Sequence, residues 1–264
     1  MNPDHVVRPN LHRTVHEGGP LRFVLVHGSM DRQSGFARLV KHLRDFGEVV
    51  TYDRRGYGRS RDVGGPFDIA THADDLAEVI GDRPSIVVGH SLGGVVALAT
   101  ASRGRLVVTG LVLYEIPMSW EPWWPTDSGG SIAASMTDRP SDAAEAFMRR
   151  VVGSERWDRL PERTRAERRA EGIALVGEMT SIRAGCPWTP SEVRCPIVSG
   201  YGRGGRPQFA RSAEEITKSF PDSVLVPMDA ARHNAHSTEP ELFARVLVGP
   251  LLERLRSGSF REPE

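Results

Sequence analysis

The stretch PSIVVGHSLGGVVALATASR, residues 84–103, decides the fold of this chain. Its first part, PSIVVGH, is a short and almost continuous apolar run, which predicts a buried β-strand over 84–90. Its second part is rich in small and apolar residues and predicts a helix over 91–103. Between the two, Gly89, Ser91 and Gly93 satisfy the pattern G-x-S-x-G in a strand–turn–helix context. This context favours Ser91 as a nucleophile over a serine that merely caps a helix.

The physical reason for the glycines is the strain of such a turn. A serine held there has unfavourable backbone angles, and Cβ atoms two positions away would clash, so Gly89 and Gly93 remove them. The turn lifts the hydroxyl of Ser91 out at the carboxyl edge of the sheet. The backbone N–H of Leu92, at the start of the next helix, can then face a developing oxyanion.

Strand-like and helix-like runs alternate on both sides of this stretch. Strands are predicted over 22–28, 48–53, 110–115, 196–200 and 223–229, and helices over 34–47, 68–82, 207–219 and 240–256. Strands that are apolar throughout and separated by helices are typical of a parallel sheet that is covered on both faces. The predicted fold class is therefore α/β, with a mostly parallel central sheet flanked by helices.

The alternation stops between residues 116 and 190, where only helical patterns occur. We expect this segment to be a helical cap, or lid, inserted after the strand that ends at Glu115, with residues 1–115 and 191–264 forming the core domain. The five tryptophans of the chain all fall in the segment. They can fasten the cap to the sheet, line an apolar pocket, or do both.

Composition narrows the class of protein. The chain of 264 residues has 34 basic and 34 acidic side chains, so nothing suggests a field that attracts nucleic acid or an anionic membrane. No apolar run approaches the roughly 20 residues that span a bilayer. Only Cys186 and Cys195 are cysteines, the first residues lack an export signal, and lysine is nearly replaced by arginine. We expect a cytoplasmic bacterial protein. Its substrate is expected to be a small molecule, and we expect no metal or other cofactor. Whether the protein forms a homodimer stays open.

A second oxyanion donor is expected from HGSM, residues 27–30, which follows the strand over 22–28. Gly28 allows a sharp turn, so that the backbone N–H of Ser29 can point at the same site as that of Leu92. The neighbouring Met30 is a candidate for the wall of the substrate pocket. One such donor is typically worth about 10²–10³ in rate.

With these motifs the chain resembles the α/β-hydrolase superfamily over nearly its whole length. The residues that carry the resemblance are HGSM, DRRGYGRS (53–60), GHSLGG (89–94) and ARHNAHSTEP (231–240). The resemblance implies a histidine base on the loop after the last strand, which is His233, and leaves His236 as a lid or structural residue. We expect DRRGYGRS to be a structural turn in which Asp53 and Arg55 tie down the loop, and the chemistry of a serine nucleophile needs no cofactor.

A catalytic triad of serine, histidine and acid needs a carboxylate that orients the histidine. This chain departs from the family at that acid, because most members place an aspartate just after the strand equivalent to 196–200. Here that loop is GYGRGG, residues 200–205, without a carboxylate. Some members carry the acid as a glutamate at the end of the strand that follows the nucleophile, which matches Glu115. Asp229 is the second candidate for the acid and is called the reserve acid below. The loop also fits the dinucleotide pattern G-x-G-x-x-G, but too few βα units follow it for a nucleotide fold.

A serine nucleophile predicts acyl transfer, so we expect a serine hydrolase that acts on an ester, lactone or thioester. The apolar content of the cap predicts a small and largely apolar substrate. Two alternatives stay open: a ligand-binding, receptor-like or weakly active protein of this fold, and a C–C bond hydrolase that uses the same triad. The candidate substrate-binding residues are Met30, Met118, Trp120, Trp123, Trp124 and Phe147.

Overall fold

A computed structural model describes residues 10–104 and 107–257. Its centre is a six-stranded sheet with the strand order β2-β1-β3-β4-β5-β6. Only β1 and β2 pair antiparallel, and every other neighbouring pair is parallel. The predicted α/β class with a mostly parallel sheet is therefore confirmed. The strands are β1 (Arg13–Val26), β2 (Gly47–Tyr52), β3 (Ser85–His90), β4 (Val108–Tyr114), β5 (Ile197–Gly202) and β6 (Ser223–Met228).

Helices cover both faces of the sheet. Three short 3-10 helices lie at Gln33–Phe36, Gly58–Ser60 and Pro190–Glu192. The α-helices are α1 (Ala37–Leu43), α2 (Ile69–Ile80), α3 (Leu92–Ala101), α4 (Gly129–Ala134), α5 (Pro140–Val152), α6 (Ser154–Asp158), α7 (Glu162–Ala170), α8 (Gly172–Arg183), α9 (Pro207–Ser219), α10 (Ala235–Thr238), α11 (Pro240–Phe243) and α12 (Gly249–Arg256). Every residue of α3 is buried, so its small side chains allow the helix to pack closely beneath the sheet edge.

The predictions fail in detail at both ends of the chain. β1 begins at Arg13 rather than at residue 22, because its first half pairs with β2 through an irregular register. The single helix predicted over 240–256 is broken into α11, a π-helical segment at Ala244–Val248, and α12. Pro250 has no N–H to continue the α-helical ladder, which explains a break at this point.

Residues 115–196, all of them described, contain helices and no strand. We call α4–α8 the inserted helices. They are joined to the sheet by a buried ion pair in which Arg54, after β2, donates to Glu178 of α8 at 2.8 Å. Tyr57 donates its hydroxyl to the same carboxylate at 2.5 Å. Burial works to raise the pKa of Glu178, but Arg54 and His72 together outweigh it and lower that pKa to about 2. The inserted helices are therefore held by a charged anchor as well as by apolar contact.

Three further predictions concern the cysteines, the loop DRRGYGRS and membrane-spanning segments. Cys186 is exposed, Cys195 is buried, and neither forms a disulfide. The loop DRRGYGRS is tied down by Asp53, which accepts the backbone N–H groups of Gln33 and Arg59, and by the ion pair of Arg55 with Asp75. Within the described ranges, no helix has the length and apolar character needed to traverse a bilayer.

Candidate active site

Ser91 lies on the turn between β3 and α3 in a strained backbone conformation, with φ 52° and ψ −127°. The flanking glycines are required by close backbone contacts. A Cβ on Gly89 would lie 2.4 Å from the Cα of Gly94, and one on Gly93 would lie 2.1 Å from the carbonyl oxygen of Val26. No side chain fits at either position, so the sequence pattern reflects the geometry that presents Ser91 at the sheet edge.

The loop after β1 packs directly against this turn. A Cβ on Gly28 would lie 2.9 Å from the Cβ of Ser91, which shows how closely the two loops approach. Ser29 and Leu92 line the same cavity as Ser91. Leu92 is the first residue of α3, so its N–H has no acceptor within the helix. The two backbone N–H groups predicted for the oxyanion thus belong to residues that meet at this cavity.

His233, on the loop after β6, is paired with Glu115. Its Nδ1 lies 2.6 Å from Oε2 of Glu115, and the carboxylate is 1% exposed. Since a carboxylate accepts, Nδ1 carries the hydrogen, and Nε2 is left as the ring nitrogen that can take up a proton. The ring of His233 also stacks on Phe209, with centroids 4.8 Å apart. This arrangement has the geometry expected of the base and the acid in a catalytic triad.

The loop GYGRGG holds the carboxylate of Glu115. The backbone N–H of Gly202 donates to Oε1 at 3.0 Å, and the N–H of Glu115 donates to the carbonyl of Gly200 at 3.0 Å. A Cβ on Gly205 would lie 2.7 Å from Oε1. Glu115 itself has a positive φ of 49°, so the chain turns sharply as it leaves β4. The glycines therefore make room for an acid that comes from the neighbouring strand, and the dinucleotide reading of the loop has no support here.

Asp229, the reserve acid, faces away from this pair. It forms an ion pair with Arg203 at 2.9 Å, and its side chain is 91% exposed. His236 is buried on α10 and its Nε2 lies 3.6 Å from Oδ2 of Asp31, not beside Glu115. Of the two candidate acids, the structure places Glu115 in contact with His233.

Ser91, His233 and Glu115 all line one cavity of about 620 Å³ at the carboxyl edge of the sheet. Its aromatic and thioether walls are Trp124, Phe147, Met179 and Phe209. Two of these, Trp124 and Phe147, are among the predicted substrate-binding residues. Phe209 and Met179 were missed, because nothing in their local sequence distinguishes them from ordinary apolar positions of a helix.

The other four predicted substrate-binding residues lie away from the cavity wall. Met30 and Met118 are buried in the hydrophobic core. Trp120 packs edge-on against Trp188, with ring centroids 5.0 Å apart. Trp123 lies under the guanidinium of Arg211, 4.4 Å from its ring centroid. These four side chains are not part of the lining of this cavity, since packing within the protein takes them up, and their role in substrate binding stays a prediction.

Charged side chains also line the cavity and were not anticipated. Arg150, Arg206 and Arg232 contribute to its wall, and all three are exposed. Arg150 forms an ion pair with Asp127 at 2.8 Å. In a chain so rich in arginine, no sequence signal separates these residues from the rest of the surface.

Comparison with known proteins identifies the family of this chain. A model of the alpha/beta hydrolase family matches residues 23–246. The AB hydrolase superfamily protein YfhM of Bacillus subtilis is 36% identical over 259 residues, covering 88% of this chain and 90% of that protein. A pimeloyl-[acyl-carrier protein] methyl ester esterase of Neisseria meningitidis serogroup B is 34% identical over 243 residues, covering 83% and 88%.

Other matches are partial or structural. The chain spans only 34% of the hydrolase YraK of Bacillus subtilis and 38% of the lipase LipV of Mycobacterium tuberculosis. A thermophilic esterase from Thermogutta terrifontis has a similar fold, with a TM-score of 0.70 at 22% identity, covering 93% of this chain and 94% of that one.

Proposed function

Because the chain belongs to the alpha/beta hydrolase family, we propose that it is a serine hydrolase that cleaves an ester, lactone or thioester through an acyl-enzyme on Ser91. The observation that carries the proposal is the contact of His233 with the buried Glu115 at 2.6 Å, in the cavity that also contains Ser91. The names of the relatives, among them an esterase and a lipase, support the same class of reaction.

In this mechanism His233 accepts the hydroxyl proton of Ser91 at Nε2 while the oxygen attacks the carbonyl carbon of the substrate. The backbone N–H groups of Ser29 and Leu92 stabilise the resulting oxyanion. Glu115 keeps the imidazole in the required tautomer and stabilises its cation. The proton then passes to the leaving group, and water repeats the sequence on the acyl-enzyme, which restores Ser91.

We propose further that residues 116–190 act as a cap that shapes the substrate pocket. The contribution of Trp124, Phe147 and Met179 to the cavity wall supports this role, because all three come from that segment. An apolar wall of this kind favours a small, largely apolar acyl or alcohol group. The anchor between Arg54 and Glu178 would keep the cap in register with the catalytic loops.

Intact mass spectrometry with a panel of p-nitrophenyl esters tests the proposal. We expect a burst of p-nitrophenol and a mass increase of one acyl group, assigned to Ser91 by peptide mapping, and labelling of the same residue by a fluorophosphonate. The Ser91→Ala protein should show none of these three results. Folded protein that gives no burst and no label with any acyl length would contradict a serine hydrolase and favour the receptor-like alternative.

A further inference from the structure

Three side chains behind the nucleophile form a cluster that the mechanism above does not use. Asp31 follows the oxyanion loop after β1, His90 is the last residue of β3, and His236 lies on α10 just after His233. One nitrogen or oxygen atom of each lies within 4.8 Å of the others. The three residues come from separate elements that are far apart in the sequence, which is why no ligand spacing was visible there.

His90 has the hydrogen bonding of a metal ligand. The ring is 3% exposed, and its Nε2 lies 2.8 Å from the carbonyl oxygen of His233, so Nε2 carries the hydrogen and donates it. Nδ1 therefore bears a free lone pair, and it has no hydrogen-bond partner although it is buried. A buried polar atom left without a partner is costly and calls for an explanation such as an ion. An imidazole that donates its other N–H to a backbone carbonyl is typical of metal-binding histidines.

His236 and Asp31 add the second and third donors. The imidazole of His236 is almost fully buried, and Nε2 is its nitrogen nearest to Asp31. Its Nε2 lies 3.6 Å from Oδ2 of Asp31, too far for a hydrogen bond. Two ligands that are each about 2.0–2.1 Å from one zinc ion in trigonal or tetrahedral geometry lie roughly 3.3–3.6 Å apart. The other oxygen of Asp31 accepts the backbone N–H of Arg32 at 2.8 Å, which fixes the carboxylate.

We propose that Asp31, His90 and His236 bind one divalent first-row transition metal ion, Zn²⁺ by the chemistry of the donor set. Two imidazoles and a carboxylate suit zinc, with water in the fourth position. The widest separation between the donor atoms must shorten by up to about 1 Å on binding, because two ligands of one zinc ion lie at most about 4 Å apart.

The consequence follows from where the three ligands are attached. The ion links the loop of Ser29, the turn of Ser91 and the loop of His233, so it braces the catalytic loops without taking part in the reaction. Metal binding should raise the melting temperature by mass action, since the assembled site exists only in the folded protein.

Cobalt titration of tag-free protein, dialysed first against EDTA, tests the site without an activity assay. Co²⁺ should give visible d–d absorption bands that saturate at one ion per chain, and Zn²⁺ should displace it. Asp31→Asn and His236→Gln should each weaken the affinity by about 10–100-fold or more. His16→Gln, which removes an imidazole on β1 outside the cluster, should bind as the unaltered protein does.

Two results would overturn the inference. One is the absence of stoichiometric Co²⁺ or Zn²⁺ binding by the unaltered, folded protein; the other is unchanged affinity in both variants. Circular dichroism checks the fold of each variant. Asp31→Asn keeps the size of the side chain, so a decisive comparison survives even if His236→Gln does not fold. Neither result depends on whether the protein hydrolyses esters.

Discussion

Two glycine-rich loops lie at the same edge of the sheet, GHSLGG at 89–94 after β3 and GYGRGG at 200–205 at the end of β5. The first presents the proposed nucleophile: its glycines relieve contacts below Ser91, which remains in a strained conformation. The second presents no reactive side chain, and its glycines surround the carboxylate of Glu115 instead. Glycines thus mark where the backbone must come close to something, and only the neighbouring residues say what that is.

The two loops also differ in how a change should act on catalysis. In the proposed mechanism the reacting atom of GHSLGG belongs to the loop itself. GYGRGG is proposed to act through Glu115, and Glu115 through His233. We therefore expect the effect on turnover to decrease step by step from Ser91, through Glu115, to the glycines around it.

Removal of the nucleophile should have the largest effect. Ser91→Ala is expected to lower kcat by about 10⁴-fold or more, because it removes the hydroxyl on which the proposed acyl-enzyme forms. Steady-state hydrolysis of a p-nitrophenyl ester measures this. Residual turnover within tenfold of the unaltered protein would mean that GHSLGG is only a structural turn, and the contrast between the loops would disappear.

The next effect tests the acid that GYGRGG holds. Glu115→Gln keeps the size of the side chain but removes the charge that stabilises the imidazolium, so kcat should fall by about 10²–10⁴-fold. The matched control is Asp229→Asn, which alters an exposed carboxylate paired with Arg203 and should leave kcat nearly unchanged. The reverse outcome would reassign the acid to Asp229.

A smaller effect is expected from the glycine loop itself. In Gly205→Ala the new Cβ would lie 2.7 Å from Oε1 of Glu115, so the carboxylate must shift. A misplacement of this size should lower kcat by about 10–100-fold. Because the new Cβ would also lie 3.0 Å from the backbone carbonyl oxygen of Gly202, the melting temperature is measured alongside kcat. Gly64→Ala is the control, since nothing lies within 4 Å of a Cβ there. Equal kcat in both variants would show that the loop does not position the acid.

Much of the fold could be predicted from the sequence because its strands are apolar runs bounded by turns. β3, predicted over 84–90, occupies Ser85–His90. The first half of β1 was missed, since it contains Gly18, Gly19 and Pro20 and no apolar run. Its pairing with β2 depends on long-range contact, which local patterns do not encode.

The site could be predicted where backbone geometry imposes a residue type and not where packing decides. A Cβ on Gly89 or Gly93 would lie only 2.1–2.4 Å from other backbone atoms, so the geometry requires glycine at both positions and the motif can be recognised in the sequence. The pocket walls carry no such signature. Met30 has a positive φ of 58° and is buried in the core, although its neighbour Ser29 lines the cavity. One residue of difference along a turn reverses the direction of a side chain.

The smallest effect is expected from replacing the side chain of Ser29, because Ser29 is proposed to act through its backbone N–H, as Gly202 does. Gly202 holds Glu115 through its backbone N–H, and Ser29 is proposed to bind the oxyanion in the same way, so neither contribution depends on a side chain. Ser29→Ala retains the N–H and should change kcat by only about twofold, the equivalent of roughly 0.5 kcal/mol. Stopped-flow measurement of the acylation rate checks this. A loss of about 10²-fold, the size expected for a whole oxyanion donor, would mean that the hydroxyl of Ser29 contacts the substrate, and that the cavity recognises it through side chains on this loop.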